Sequence, residues 1–221
     1  MSSQPVLYSF RRCPYAMRAR MALSYSAIPV ELRETELKNK PAEMLDASAK
    51  GTVPVLVMPD SQVIDESWDI ITWALEKSDP QKWMPASGTS QFHELNDLIH
   101  TNDYEFKGYL DRYKYADRYP EYSAEHYRAQ GEAFLGSLER RLNASRYILG
   151  HDISVADIAI MPFIRQFAHV DINWFEHAPY PKLRTWLKAF LQSSLFNGVM
   201  KKYKPWQAGD TPTALPTYVD Q

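Results

Sequence analysis

The pattern of apolar and polar positions changes character about a third of the way along the chain. Val6 to Phe10 is a short apolar run and predicts a strand, which Arg11-Arg12-Cys13-Pro14 interrupts. From Tyr15 to Tyr25, Met17, Met21 and Tyr25 recur at the spacing of one helical face, with Arg18 and Arg20 off that face. Ile28-Pro29 breaks the helix, and the alternating Val30 to Arg33 predicts a second strand. A strand, helix and strand of this length fit a parallel crossover. Pro41 to Ala47 predicts a short helix with proline in its first turn. After the turn Gly51-Thr52, Val53 to Met58 reads as a buried strand, its proline near the start where a strand tolerates one. Pro59-Asp60-Ser61 turns the chain into the short strand Gln62 to Asp65, which completes a hairpin. Glu66-Ser67 then opens a helix that runs to Lys77.

Beyond Asp79-Pro80 the strand signals stop. Trp83 to Gly88 reads as a linker, and helical periodicity takes over from Ser90. Phe92, Leu95, Leu98, Ile99 and Phe106 mark one face of a long helix toward Arg118, which Pro120 ends. Tyr104, Phe106, Tyr109, Tyr113 and Tyr115 give that helix an aromatic cluster assigned to packing. Tyr127, Phe134, Leu135, Leu138 and Leu142 mark a second helix over Ala124 to Leu142. A third starts near Ser154 and a fourth near Pro181, and the tail after Pro205 is irregular. The expected organisation is an α/β domain of order β-α-β-α-β-β-α over residues 1–80, a linker at 81–87 and an all-helical domain over 88–221.

Composition narrows the classes. The 221 residues are 45% hydrophobic and 24% charged, the balance of a soluble globular chain. With 25 basic and 27 acidic residues and no basic stripe, nucleic acid is not an expected partner. The single cysteine, Cys13, excludes an internal disulfide, a dithiol redox pair and a multi-cysteine metal site. His93, His100, His126, His151, His169 and His177 form no metal-binding pair around a carboxylate, so no metal is expected. No apolar run reaches the ~20 residues of a membrane span, and the N-terminus lacks a secretion pattern. The expectation is a soluble, cytoplasmic protein.

Cys13 is the first chemical candidate. It follows a strand and precedes a proline suited to the first helical position. A sulfur there meets free backbone N–H groups and the positive end of the helix dipole, which favour a thiolate. Arg11, Arg12 and Arg18 add positive charge. On position alone, a lone cysteine reads equally well as a small buried hydrophobe.

Cys13-Pro14-Tyr15-Ala16-Met17-Arg18 resembles the cysteine-type active-site motif of the glutathione S-transferases, the omega class and related bacterial proteins above all. Three further segments resemble that family in register: Leu37-Lys38-Asn39-Lys40-Pro41, Val53-Pro54 and Glu66-Ser67. The resemblance implies a thioredoxin-like N-terminal domain, an all-helical C-terminal domain, and glutathione as co-substrate. It implies a cis Val53–Pro54 bond, with the Val53 backbone pairing the extended cysteinyl part of glutathione as an added strand would. It implies that Ser67, read as the cap of a helix starting at Trp68, holds the γ-glutamyl carboxylate, that Glu66 meets the γ-glutamyl amine, and that Lys40 approaches the glycyl end. Without the resemblance, Glu66-Ser67 is an ordinary helix cap and Lys40 a solvated lysine. Two departures stand out: Ser48-Ala49-Lys50 where the family tends to place a proline, and the bulky Trp68 after the Glu-Ser pair.

Gly150-His151-Asp152-Ile153-Ser154-Val155-Ala156-Asp157 resembles the family's buried capping motif, with Ser154 and Asp157 as a capping box and Ile153 and Ile158 as a hydrophobic staple. The function this implies is glutathione-dependent thiol transfer through a mixed disulfide at Cys13. The second substrate would be a small electrophile or disulfide, and the family's habit points to a homodimer. The alternative is a non-catalytic binding or regulatory protein of the same fold.

Overall fold

Strand β1, Val6–Ser9, is buried along its whole length, which is why its residues read as one continuous run instead of alternating. The computed structural model describes residues 3–218. β1 is flanked by β2 (Glu31–Glu34), parallel to it, and by β3 (Val55–Val57), antiparallel. β4 (Val63–Ile64) pairs antiparallel with β3, so the sheet order is β2-β1-β3-β4. The crossover from β1 to β2 is α1 (Pro14–Tyr25). α2 (Ala42–Ala47) precedes β3, and α3 (Ser67–Lys77) follows β4 and packs on α1. β3 is shorter than the apolar run Val53 to Met58. Pro54 has no N–H for a ladder, and the Met58 N–H closes the turn onto the Gln62 carbonyl at 2.8 Å.

α1 departs most from its pattern. Nearly every residue of it is buried, including Arg18 and Arg20. The two arginines are off the apolar face but not in water, because each finds polar partners inside.

The structure divides into two units, and the division differs from the expected one. One unit runs to Gln81 and resumes at Ser193; the other is Lys82–Gln192. The last helix, α10 (Ser194–Val199), packs on α1, and the described chain after it belongs to the unit of the sheet, where the helical domain was expected to extend to residue 221. The physical reason is the open edge of β2. The Leu32 N–H donates to the Thr213 carbonyl at 2.7 Å, and the Leu215 and Trp206 N–H groups donate to the Val30 and Glu34 carbonyls at 2.9 and 2.8 Å. The irregular tail satisfies backbone groups that an edge strand would leave unpaired.

The helical unit contains α4 (Ser90–His100), α5 (Lys107–Lys114), α6 (Ala124–Ala144), α7 (Val155–Ala168), α8 (Ile172–His177) and α9 (Pro181–Gln192). The long helix expected from Ser90 to Arg118 is interrupted by a π-helical turn at Thr101–Phe106 and ends in a 3₁₀ turn at Ala116–Arg118. A π turn rotates the residues after it. Phe106 and Tyr113 face the core, whereas Tyr104 is 77% exposed. Phe106 lies 5.0 Å from Phe134 and 5.3 Å from Phe167 between ring centres, and Tyr113 lies 5.0 Å from Phe167. No helix among the described residues is long and apolar enough to cross a membrane.

Candidate active site

Cys13 occupies the N-cap of α1, with Pro14 at the first helical position. Its N–H donates to the Phe10 carbonyl at 3.0 Å, closing a turn at the end of β1. Its Sγ donates to the Val53 carbonyl oxygen at 3.7 Å. The side chain is partly buried against Val6, Tyr8, Met44, Val53 and Val55, alongside Phe10 and Trp206. The Val53–Pro54 bond is cis. Sulfur, valine carbonyl and proline therefore meet where the ends of β1 and the start of β3 adjoin.

Ser67 differs from its expected role. The helix starts at Ser67 itself, with Glu66 at the N-cap and no side-chain capping bond. The Ser67 hydroxyl oxygen instead accepts from Arg18 Nε at 3.0 Å, deep inside the unit. Arg18 sits on α1 one helical turn beyond Cys13, and its guanidinium lies 5.1 Å from the centre of the Tyr15 ring. Ser67 is the first residue inside the helix, one place past the N-cap, so its hydroxyl serves Arg18 and not the helix end.

Glu66 is exposed and ion-paired. Lys50 Nζ lies 2.6 Å from Glu66 Oε1 and 3.0 Å from Asp65 Oδ1. The Ser48 hydroxyl donates to Asp65 Oδ2 at 2.7 Å, and this bond and Lys50 hold the Asp65 carboxyl below the usual range. The hydrogen bonds to Glu66 and Asp65 raise the Lys50 amine. The Ser48-Ala49-Lys50 departure thus has a structural account: two of its three side chains grip the acidic pair ahead of α3. Gly51 follows with φ 59°, a conformation that favours glycine. A Cβ there would lie 3.8 Å from Lys40 Nζ, so Lys40, half-buried, stands over the same loop. Trp68 is half-buried.

Two residues that carry no motif also belong to the neighbourhood. Glu34 Oε1 accepts from the Arg11 N–H at 2.7 Å, and Trp206 meets Tyr8 edge-on at 6.1 Å. The signal for Glu34 in the sequence was only a carboxylate on a short strand, which says nothing of what lies 23 residues earlier. Arg11 is half-buried and Arg12 exposed. Among the described residues no group of three or more histidine, cysteine, aspartate or glutamate side chains could hold a metal ion.

In the helical unit Asp157 is completely buried. Its Oδ1 accepts from the Ile148 N–H at 3.1 Å and Trp186 Nε1 at 2.9 Å, and its Oδ2 accepts from the Ser154 N–H at 3.0 Å and hydroxyl at 2.8 Å. Burial raises its carboxyl above the usual range, against the pull of those bonds.

Residues 7–83 match the glutathione S-transferase N-terminal domain, and residues 120–189 match the glutathione S-transferase C-terminal domain. Glutathione S-transferase omega-1 of Sus scrofa is 24% identical over 200 residues, covering 84% of this chain and 76% of that protein. A probable maleylacetoacetate isomerase of Caenorhabditis elegans is 28% identical over 202 residues, covering 82% and 86%. A glutathione transferase of Phanerochaete chrysosporium, solved with oxidised glutathione, superposes with a TM-score of 0.76 at 20% identity over 89% of this chain and 94% of that one. The architecture is therefore a thioredoxin-like domain with a four-stranded mixed sheet, joined to a helical domain.

Proposed function

The chain belongs to the glutathione S-transferase family, and from that premise we propose that it is a glutathione-dependent thiol transferase whose nucleophile is Cys13. The observation that carries this reading is the sulfur at the N-cap of α1, 3.7 Å from the carbonyl of a valine preceding a cis proline. A helix N-terminus favours the anionic sulfur, and partial exposure leaves it open to attack a substrate.

The Cys13 thiolate attacks the glutathionyl sulfur of a mixed disulfide. A bond forms between Cys13 Sγ and that sulfur, the old disulfide bond breaks, and the departing thiolate takes a proton from water. A glutathione thiolate then attacks the glutathionyl sulfur on Cys13, which releases glutathione disulfide and restores the Cys13 thiolate. With one cysteine in the chain, the second thiol must come from outside. Glutathione binds with its cysteinyl backbone along Val53. Its γ-glutamyl carboxylate meets the α3 N-terminus and the Ser67 hydroxyl proton, its amine meets Glu66, and its glycyl carboxylate meets Lys40.

Cys13→Ser tests the reading. Glutathione-dependent reduction of hydroxyethyl disulfide should fall to background in a protein that melts at the wild-type temperature. Full activity in that variant refutes the nucleophile. A wild-type protein that binds glutathione without turnover supports the binding-protein alternative instead.

A further inference from the structure

Arg11, Arg12 and Cys13 form the loop that carries the sulfur, and the side-chain bond to the backbone at its start comes from a distant strand. Glu34, the last residue of β2, is buried. Its Oε1 accepts from the Arg11 N–H at 2.7 Å. Its Oε2 meets Arg20 Nη1 at 3.3 Å, and that guanidinium is itself fully buried on α1. Arg20 also donates to the Ser9 hydroxyl at 3.3 Å and to the Val199 carbonyl at the end of α10. The backbone carbonyl of Glu34 accepts from Trp206 at 2.8 Å. Glu34 and Arg20 together therefore join the sulfur-bearing loop, the helix that loop opens, the end of β1 and the C-terminal return.

We propose that Glu34 is a positioning residue for Cys13: its carboxylate holds the Arg11 N–H, so that the turn from Phe10 to Cys13 sets the sulfur at the N-cap of α1 against Val53. The Arg11 N–H precedes the turn bond from the Cys13 N–H to the Phe10 carbonyl. Losing the acceptor leaves an amide in a half-buried place without its partner, and the loop must move to reach water. A displacement of the loop carries Sγ away from the helix end and from Val53. Arg20 has a different part. It neutralises Glu34 and ties it in place, and its own guanidinium is lowered by burial and sustained by Glu34. The charged and titratable groups facing Glu34 are Arg11 from the loop, Arg20 from α1 and Tyr203 from the C-terminal return.

This inference rests on Cys13 as the nucleophile, and the test separates the two. Three variants of the full chain are compared: Glu34→Ala, Glu34→Gln and Glu34→Asp. Glutamine keeps an oxygen of the right reach and loses the charge; aspartate keeps the charge and loses the reach. The readouts are the rate of Cys13 alkylation by iodoacetamide across pH, and kcat and KM for glutathione-dependent reduction of hydroxyethyl disulfide. Glu34→Ala and Glu34→Asp should lose about tenfold or more in kcat and in alkylation at neutral pH, with the alkylation profile moved to higher pH and KM for glutathione changed by less than about threefold. Glu34→Gln, whose oxygen can still accept from the Arg11 N–H although its amide leaves Arg20 without a counter-charge, should stay above Glu34→Asp in both. If Glu34→Asp equals or exceeds Glu34→Gln, the positioning role is overturned, and this comparison stands even if the alanine variant does not fold. Unchanged alkylation in all three overturns it as well. A wild-type protein with no turnover refutes the nucleophile reading, while the alkylation series still decides the role of Glu34.

Discussion

Arg18, Arg20 and Asp157 are three charged side chains of which almost nothing reaches solvent. Burying an ionised group is costly unless it is paired and hydrogen-bonded. Each is hydrogen-bonded, Arg18 by Ser67, Arg20 by Glu34, Ser9 and Val199, and Asp157 by four neutral donors, and Arg20 is also ion-paired with Glu34. Asp157 shows what such an arrangement is worth. Asp157→Ala removes the acceptor for the Ile148 and Ser154 N–H groups and the Trp186 indole at once. We expect a loss of about 3 kcal/mol or more, since each buried donor left unpaired costs roughly 1–3 kcal/mol. Urea unfolding followed by circular dichroism measures it, and a midpoint equal to wild type refutes the assignment. The sign of the pH effect follows from burial. A folded carboxyl raised above its unfolded value holds its proton more tightly when folded. Its contribution is therefore full below the unfolded value and lost as pH rises through the folded one.

Among the helices, close approach matters more than propensity. Gly131 lies on α6 where a Cβ would come 2.7 Å from a Phe167 ring carbon of α7 and 3.4 Å from Phe106. No ordinary Cβ contact is that short, so the ring must shift. Gly131→Ala adds helix propensity worth up to about 1 kcal/mol. Against this, overpacking a filled core costs about 1–3 kcal/mol. The net expectation is a destabilisation of about 1 kcal/mol, seen as a lower denaturation midpoint at an unchanged m-value. A stabilised Gly131→Ala protein would mean that Phe167 has room to move. The same aromatic cluster explains the π turn at Thr101–Phe106. The extra residue in that turn aims Phe106 inward at Phe134 and Phe167 and leaves Tyr104 in water.

For the molecule as a whole, the return of the chain after Ser193 to the sheet is the main departure from the sequence reading. Leu215 is buried, the Trp206 ring lies 4.1 Å from the Arg33 guanidinium, and three backbone hydrogen bonds close the β2 edge. A chain ending after Tyr203 loses all of these. We expect its melting temperature to fall by about 5 °C or more. The bared edge should also make it self-associate more readily, as measured by size-exclusion chromatography with light scattering. A truncated chain with unchanged melting and association would show that the tail contributes nothing to the sheet.

What the sequence determined by itself lies within short spans. The buried run of β1, the cysteine placed between a strand and a proline, and the Ser154–Asp157 spacing are each legible because neighbours in sequence are neighbours in space. The tertiary structure alone decided the rest. Ser67 gives its oxygen to Arg18, 49 residues away, instead of capping its own helix. Arg20 reaches Val199 across 179 residues, and Glu34 reaches back 23 to the loop that bears Cys13. Such pairings have no periodicity. A polar side chain buried by folding takes whichever partner the packed chain presents, and only the completed core determines which that is.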